Sequence, residues 1–179
     1  MTRFSRRSFV VGGSAILATV PAVLAALQSA TPTAAAFPAA PSPADPFKFS
    51  LVGAADSPIR GGIVHRANKA AFPTLRGVAA FSLALDPGAI RQPHLHTNAN
   101  ELSYLAVGQA RVGLVGPGGE QHLFDLAPGE VAYQPMGWVH WFENTGEGPL
   151  FAVFMYSHEQ PETIDMPDVL PKIPTQSDY

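Results

Sequence analysis

His94, His96, Glu101 and His140 are the residues of this chain whose types and spacing could do chemistry. His94 and His96 stand two apart in a stretch that reads as a strand. Period-two alternation then puts both imidazoles on one face and Leu95 on the other. Glu101 follows the polar turn Thr97-Asn98-Ala99-Asn100, at the head of the next apolar run. Imidazole nitrogens with one carboxylate are a competent ligand set for one divalent ion: Mn, Fe, Co, Ni or Zn. Four protein ligands on a six-coordinate ion leave two positions for water, substrate or dioxygen. A His-x-His pair alone is more often surface or satisfied core, and His65, His122 and His158 are read that way.

The elements that must position these residues are strands. Gly62 to His65, Val78 to Leu85, Ala89 to His96, Leu102 to Val107, Gln109 to Val115, Gln121 to Leu126, Val131 to Gln134, Val139 to Glu143 and Leu150 to Tyr156 are short apolar or alternating runs. They are punctuated by Asp86-Pro87-Gly88, Gly116-Pro117-Gly118-Gly119 and Pro128-Gly129. Short strands at regular spacing with Gly/Pro turns predict an all-β sandwich or barrel. A short helical segment is expected near Met166 to Leu170. No internal repeat is present, so one barrel is expected. Phe142 should share the His140 face and line the pocket. Trp138 and Trp141 suit barrel packing or a subunit interface, and Tyr104 and Tyr133 suit packing or hydrogen bonds to site residues.

The chain has 179 residues, no cysteine and a formal charge of −3. That length suits one domain, and the charge offers no basic stripe for nucleic acid. No disulfide can form, so the core, with any metal, must hold the fold. Ser5-Arg6-Arg7-Ser8 precedes an uncharged apolar stretch from Phe9 to Leu27, and Ala34-Ala35-Ala36 offers small residues for cleavage. A paired arginine ahead of an apolar segment predicts a twin-arginine signal peptide over 1–36, and so a periplasmic or secreted protein. A retained membrane anchor is the competing reading, weakened by Pro21 and the Ala/Gly content. Residues 37–57 are Ala/Pro-rich and read as a linker or arm. The barrel is expected over 58–160, and a C-terminal helix and tail over 161–179.

Two longer patterns contain the candidate ligands. Gly88-x5-His94-x-His96-x4-Glu101-x6-Gly108 and Gly129-x5-Pro135-x-Gly137-x2-His140-x3-Asn144 match both motifs of the cupin superfamily at every defined position. The chain resembles that superfamily over roughly Gly62 to Tyr156. The resemblance implies a jelly-roll barrel with the metal inside, and an Asn144 that closes a turn rather than touching the ion.

Within the cupins, Leu85 to His96, Glu101-Leu102-Ser103-Tyr104, Gly129 to Pro135 and His140 to Asn144 resemble oxalate decarboxylases and germin-type oxalate oxidases. That resemblance implies Mn(II) and dioxygen, a small carboxylate substrate, and a homo-oligomer. It implies decarboxylation of oxalate to formate and carbon dioxide, with oxalate oxidation or metal-dependent carboxylate binding without turnover as alternatives. Manganese competes poorly with copper or zinc at an N/O site. Export in the folded state would let it load first.

Arg91, three residues before His94, stands where these relatives hold the substrate carboxylate, and a guanidinium suits that grip. The odd spacing turns Arg91 away from the His94 face unless a bulge at Pro93 intervenes. A surface salt bridge is its other reading. In these relatives a short lid before the terminal helix supplies the catalytic acid. The matching stretch here is Ser157 to Thr163, with Glu159 as the first candidate and Glu162 as the second; a solvated connector is the competing reading. The chain departs from the relatives in having one barrel, a different lid sequence and His-Leu-His in place of His-Trp-His.

Overall fold

A computed structural model describes residues 45–174. The signal peptide expected over 1–36 and the start of the arm lie outside the described residues. Eleven strands follow in order: β1 Ser57–Ile59, β2 Gly62–Ala67, β3 Ala79–Leu85, β4 Ile90–His96, β5 Glu101–Val107, β6 Ala110–Val115, β7 Gln121–Leu126, β8 Val131–Gln134, β9 Val139–Asn144, β10 Leu150–Tyr156 and β11 Thr163–Asp165. A short helix α1, Met166–Val169, and a 3-10 turn at Leu170–Lys172 come last. Among the described residues, no helix is long and apolar enough to cross a membrane.

The strands form two antiparallel sheets, ordered β1-β2-β3-β10-β5-β8 and β11-β4-β9-β6-β7. This is the all-β jelly roll expected. Alternation decides what lies inside. Ala79, Phe81, Leu83 and Leu85 of β3, Ala110, Val112 and Leu114 of β6, and Leu150, Ala152 and Phe154 of β10 bury into one core. At one end of the interior the same inward register brings polar groups instead: Glu101 and Ser103 of β5, Gln134 of β8, His140 of β9 and Tyr156 of β10. The apolar half anchors the barrel and the polar half forms the site.

Two strands were not legible as such. β1 contains Pro58, which suits an edge strand, and it lies at the expected border between arm and barrel. β11 is only three residues long and falls in the stretch expected to be helix and tail. It pairs with β4 through Thr163↔His96, Ile164↔Leu95 and Asp165↔His94, so the sheet continues past residue 160. Covering the open edge of β4 satisfies backbone groups that would otherwise face water beside the site.

Trp141 and Trp138 are packing residues. The Trp141 ring lies over Gly113, where even a Cβ would stand 2.0 Å from it. Trp138 packs on the core and stacks on His122 at 6.1 Å. Asn144 closes a turn, donating to the carbonyls of Leu85 (3.1 Å) and Gly148 (2.9 Å) and accepting from the Gly146 amide (3.0 Å).

Candidate metal centre

His94 and His96 come from β4, Glu101 opens β5 and His140 lies on β9. All four are buried, and one potential ligand atom from each lies within 4.8 Å of all the others. Opposite ligands on one ion with bonds of about 2.1 Å stand roughly 4.2 Å apart, so a single ion can be shared after small adjustments. His140 is delivered by the turn before β9, where Gly137 takes φ +81° and its amide donates to the His96 carbonyl at 2.9 Å. A side chain other than glycine would strain that turn.

The hydrogen bonds fix the tautomers. Nδ1 of His94 meets the Gln92 carbonyl (2.8 Å), Nδ1 of His96 the Glu162 carbonyl (2.9 Å) and Nδ1 of His140 the Trp138 carbonyl (3.0 Å). A carbonyl only accepts, so each Nδ1 carries a proton and each ring turns its Nε2 to the interior. Glu101 Oε2 lies 3.0 Å from His96 Nε2 and 3.5 Å from His140 Nε2. His140 Nε2 is buried with no hydrogen-bond partner. With each Nε2 deprotonated, three nitrogen lone pairs and a carboxylate oxygen converge on one point, so the donor set fits a divalent metal.

The electrostatics agree. Burial, then the neighbouring His140 and Arg91, hold His94 well below its ordinary pKa, so its imidazole is neutral and ready to ligate. Burial pushes the Glu101 carboxyl up, but the imidazoles of His140, His96 and His94 gathered around it outweigh this and hold it well below its usual range. Burial, then the Glu101 charge, raises the Tyr156 phenol well above its ordinary value. Tyr156 therefore stays protonated beside the His96 ring, 4.9 Å between centroids.

Sequence spacing alone had not pointed to Ser103, Gln134 or Tyr156 as site residues. The Ser103 hydroxyl donates to Glu101 Oε1 at 3.1 Å. With the Gln134 amide turned so that nitrogen meets oxygen, it donates to Ser103 Oγ (3.2 Å) and to the carbonyls of Glu101 (3.1 Å) and Ala132 (3.2 Å). This holds one carboxylate oxygen so that the other faces the histidines. The signal was the inward register of β5 and β8, where Gln134 lies opposite Glu101.

Arg91 joins the site side of β4. It pairs with Phe142 and His94 pairs with His140, with a register shift between them. Two residues on β4, Gln92 and Pro93, thus lie opposite one on β9, Trp141, which is a bulge at Pro93. Its guanidinium pairs with Asp165 on β11.

Glu159 is placed elsewhere. Its Oε2 accepts from the Gly77 amide at 2.7 Å, a bond that also keeps its pKa below the usual carboxylate range. Glu162 lies closer to the ligands: its carbonyl receives His96 Nδ1, and its Oε2 accepts from Thr97 Oγ1 at 3.0 Å. Asn98 and Asn100 fasten the Ser157 to Thr163 stretch to the loop before Glu101. Asn98 donates to the Gln160 carbonyl (3.1 Å) and accepts from the Glu162 amide (2.8 Å), and the Asn100 amide donates to Ser157 Oγ (2.9 Å).

A second cluster, Asp56–His65–Ser82, has the residue types of a hydrolase triad. His65 Nδ1 lies 3.1 Å from Ser82 Oγ, and its Nε2 lies 3.0 Å from Asp56. Ser82 is fully buried, so no substrate reaches it, and His65 is a satisfied histidine.

The family model described as Cupin matches residues 54–178. The chain belongs to the cupin family. This cupin is 27% identical over 129 residues to oxalate decarboxylase OxdC of Bacillus subtilis (strain 168), covering 72% of this chain and 34% of that protein. It is 30% identical over 106 residues to putative germin-like protein 9-2 of Oryza sativa subsp. japonica, covering 58% of this chain and 50% of that one. A solved structure of a Bacillus subtilis oxalate decarboxylase mutant superposes with a TM-score of 0.67 at 26% identity, covering 70% of this chain and 33% of that one. Mn(II) centres have been studied in the Bacillus subtilis enzyme. The chain spans from a third to a half of the length of these relatives.

Proposed function

We propose that this cupin uses one Mn(II), held by His94, His96, Glu101 and His140, to decarboxylate oxalate to formate and carbon dioxide. The observation that carries the reading is the convergence of three imidazole Nε2 atoms and a Glu101 oxygen among buried residues, with Arg91 on the same face of β4 through the register shift. A bound divalent ion would supply open coordination positions, Lewis acidity toward a carboxylate and, for manganese, access to redox chemistry with dioxygen. The chain's residues do the rest. Arg91 takes the carboxylate remote from the ion with a forked pair of donors. The interior excludes water. Hydrogen oxalate loses its carbon–carbon bond, one carbon leaves as carbon dioxide, and the other receives a proton to become formate. On the Ser157 to Thr163 stretch Glu162 lies nearer the ligands, and Glu159 would have to leave the Gly77 amide to carry that proton.

A second reading, carboxylate binding without turnover, is favoured by one observation: Glu159 is engaged with Gly77 rather than the pocket. Oxalate incubated with manganese-loaded protein, under air and under nitrogen, separates the readings. Formate marks the decarboxylase, peroxide with carbon dioxide marks an oxidase, and unchanged oxalate with measurable binding marks the binder.

The proposal extends to location and assembly. A twin-arginine leader over 1–36 would place the mature protein in the periplasm or outside the cell. The outward face of the larger sheet exposes Leu102, Tyr104, Val131, Tyr133 and Met155, which supports a homo-oligomer. Light scattering of the mature protein tests that point.

A further inference from the structure

A cavity of about 260 Å³ lies between the β1–β2 edge of one sheet and the β4–β11 edge of the other, and Arg60, Arg66, Arg91 and Asp165 line it. Arg66 points inward from β2. It lies opposite Phe81 in register, and its guanidinium stands 5.5 Å from the centre of the Phe81 ring. Phe81 in turn packs on Tyr156, the residue beside His96, so Arg66 is two aromatic rings away from a metal ligand. Arg91 points inward from the opposing sheet. Among the described residues, Asp165 is the one acid lining the cavity: it pairs with Arg91, and Arg66 makes no ion pair. Burial, then the nearby charge of Arg91, lowers the Arg66 pKa, as expected of two guanidiniums sharing a low-dielectric space.

Like charges that are half-buried together are costly unless an anion joins them. At about 30 Å³ each, roughly eight or nine waters would fill the cavity, so a small organic acid also fits. We propose that Arg66 and Arg91 form a two-guanidinium anion site for a carboxylate group of a small organic acid, with Asp165 as its resident counter-ion. The inference rests on the carboxylate reading of the metal centre and adds Arg66 and Asp165 to it. Asp165 occupies Arg91 when the site is empty, keeps it extended along β4, and yields it to the incoming carboxylate. Arg66, unpaired, makes first contact.

Calorimetric titration of malonate into metal-free and manganese-loaded protein tests this. Arg66→Gln should weaken binding about tenfold or more in both states, with metal content and melting temperature unchanged, and Arg66→Lys should recover part of the loss. Asp165→Asn should tighten binding at low salt. Parent-like affinity in Arg66→Gln, unchanged or weaker affinity in Asp165→Asn, or no malonate binding by the parent protein in either state would overturn the proposal. Turnover is scored separately. If Arg66→Gln loses malonate while the parent leaves oxalate intact, the anion site stands and the reaction falls. If Arg66→Gln binds malonate like the parent and the parent makes formate, the reaction stands and the anion site falls.

Discussion

Arg91 and His94 share the interior face of β4 although they stand three positions apart, because the strand carries one more residue than β9 between the pairs Arg91↔Phe142 and His94↔His140. A regular strand would turn Arg91 outward. Pro93 lacks an amide proton, and a bulge is one of the few places where a sheet tolerates it. The bulge is therefore what turns a guanidinium to the face of β4 that carries His94.

Arg91→Lys keeps the charge and loses the fork. We expect oxalate affinity to fall by about 10- to 100-fold, the range for lost hydrogen bonds to a charged group, with one metal per chain retained. Titration calorimetry with metal analysis checks this. Equal oxalate affinity in both proteins would remove Arg91 from the site.

Ser103→Ala leaves the four ligands in place and frees one oxygen of Glu101. Groups that orient a ligand commonly contribute 10- to 100-fold in metal affinity, so about that loss is expected with a stability change of only about 1 kcal/mol. Competition against a chelator, with thermal unfolding of the metal-free protein, separates the two effects.

Glu159→Gln and Glu162→Gln distinguish the two candidate acids. The variant lacking the acid that returns the proton should keep metal and oxalate binding and lose formate, leaving any oxidase activity. Formate at the parent rate from both variants would mean that the proton comes from another group. Asn98→Ala should loosen the stretch that carries both acids, because Asn98 holds it at the Gln160 carbonyl and the Glu162 amide.

The pH dependence follows from His94. Burial, then His140 and Arg91, holds its folded pKa well below the ordinary 6.5, so below that pH the unfolded chain takes up a proton that the folded one refuses. Stability of the metal-free protein should therefore be highest above about pH 6.5 and fall as the pH drops below it, with bound metal delaying the fall. Thermal unfolding from about pH 8 to pH 5, with His94→Gln as control, measures this. A flat profile, or one identical in the variant, would contradict it.

The metal ligands and most strands were legible because their signals are local: two-residue alternation, Gly/Pro turns and spacing that repeats a known pattern. β1 and β11 were not, since a three-residue strand has no periodicity to read and exists only through its partner. Tyr156 looked like one more inward residue of β10, and nothing within the strand tells that its ring packs beside His96. Asp165 and Arg66 lie 99 residues apart in sequence and line one cavity only after the two sheets close. Glu159 was singled out by its place in a loop, but loop side chains go where a donor waits, and here the donor is the Gly77 amide.

The central claim is one manganese ion in the pocket of His94, His96, Glu101 and His140, open to a carboxylate. Electron paramagnetic resonance of Mn(II) titrated with the metal-free protein, before and after adding oxalate, tests it most directly. The account predicts one bound ion per chain, a signal that oxalate changes, and loss of both in His140→Ala. Manganese that remains free in solution, or a bound signal that survives His140→Ala and ignores oxalate, would contradict it.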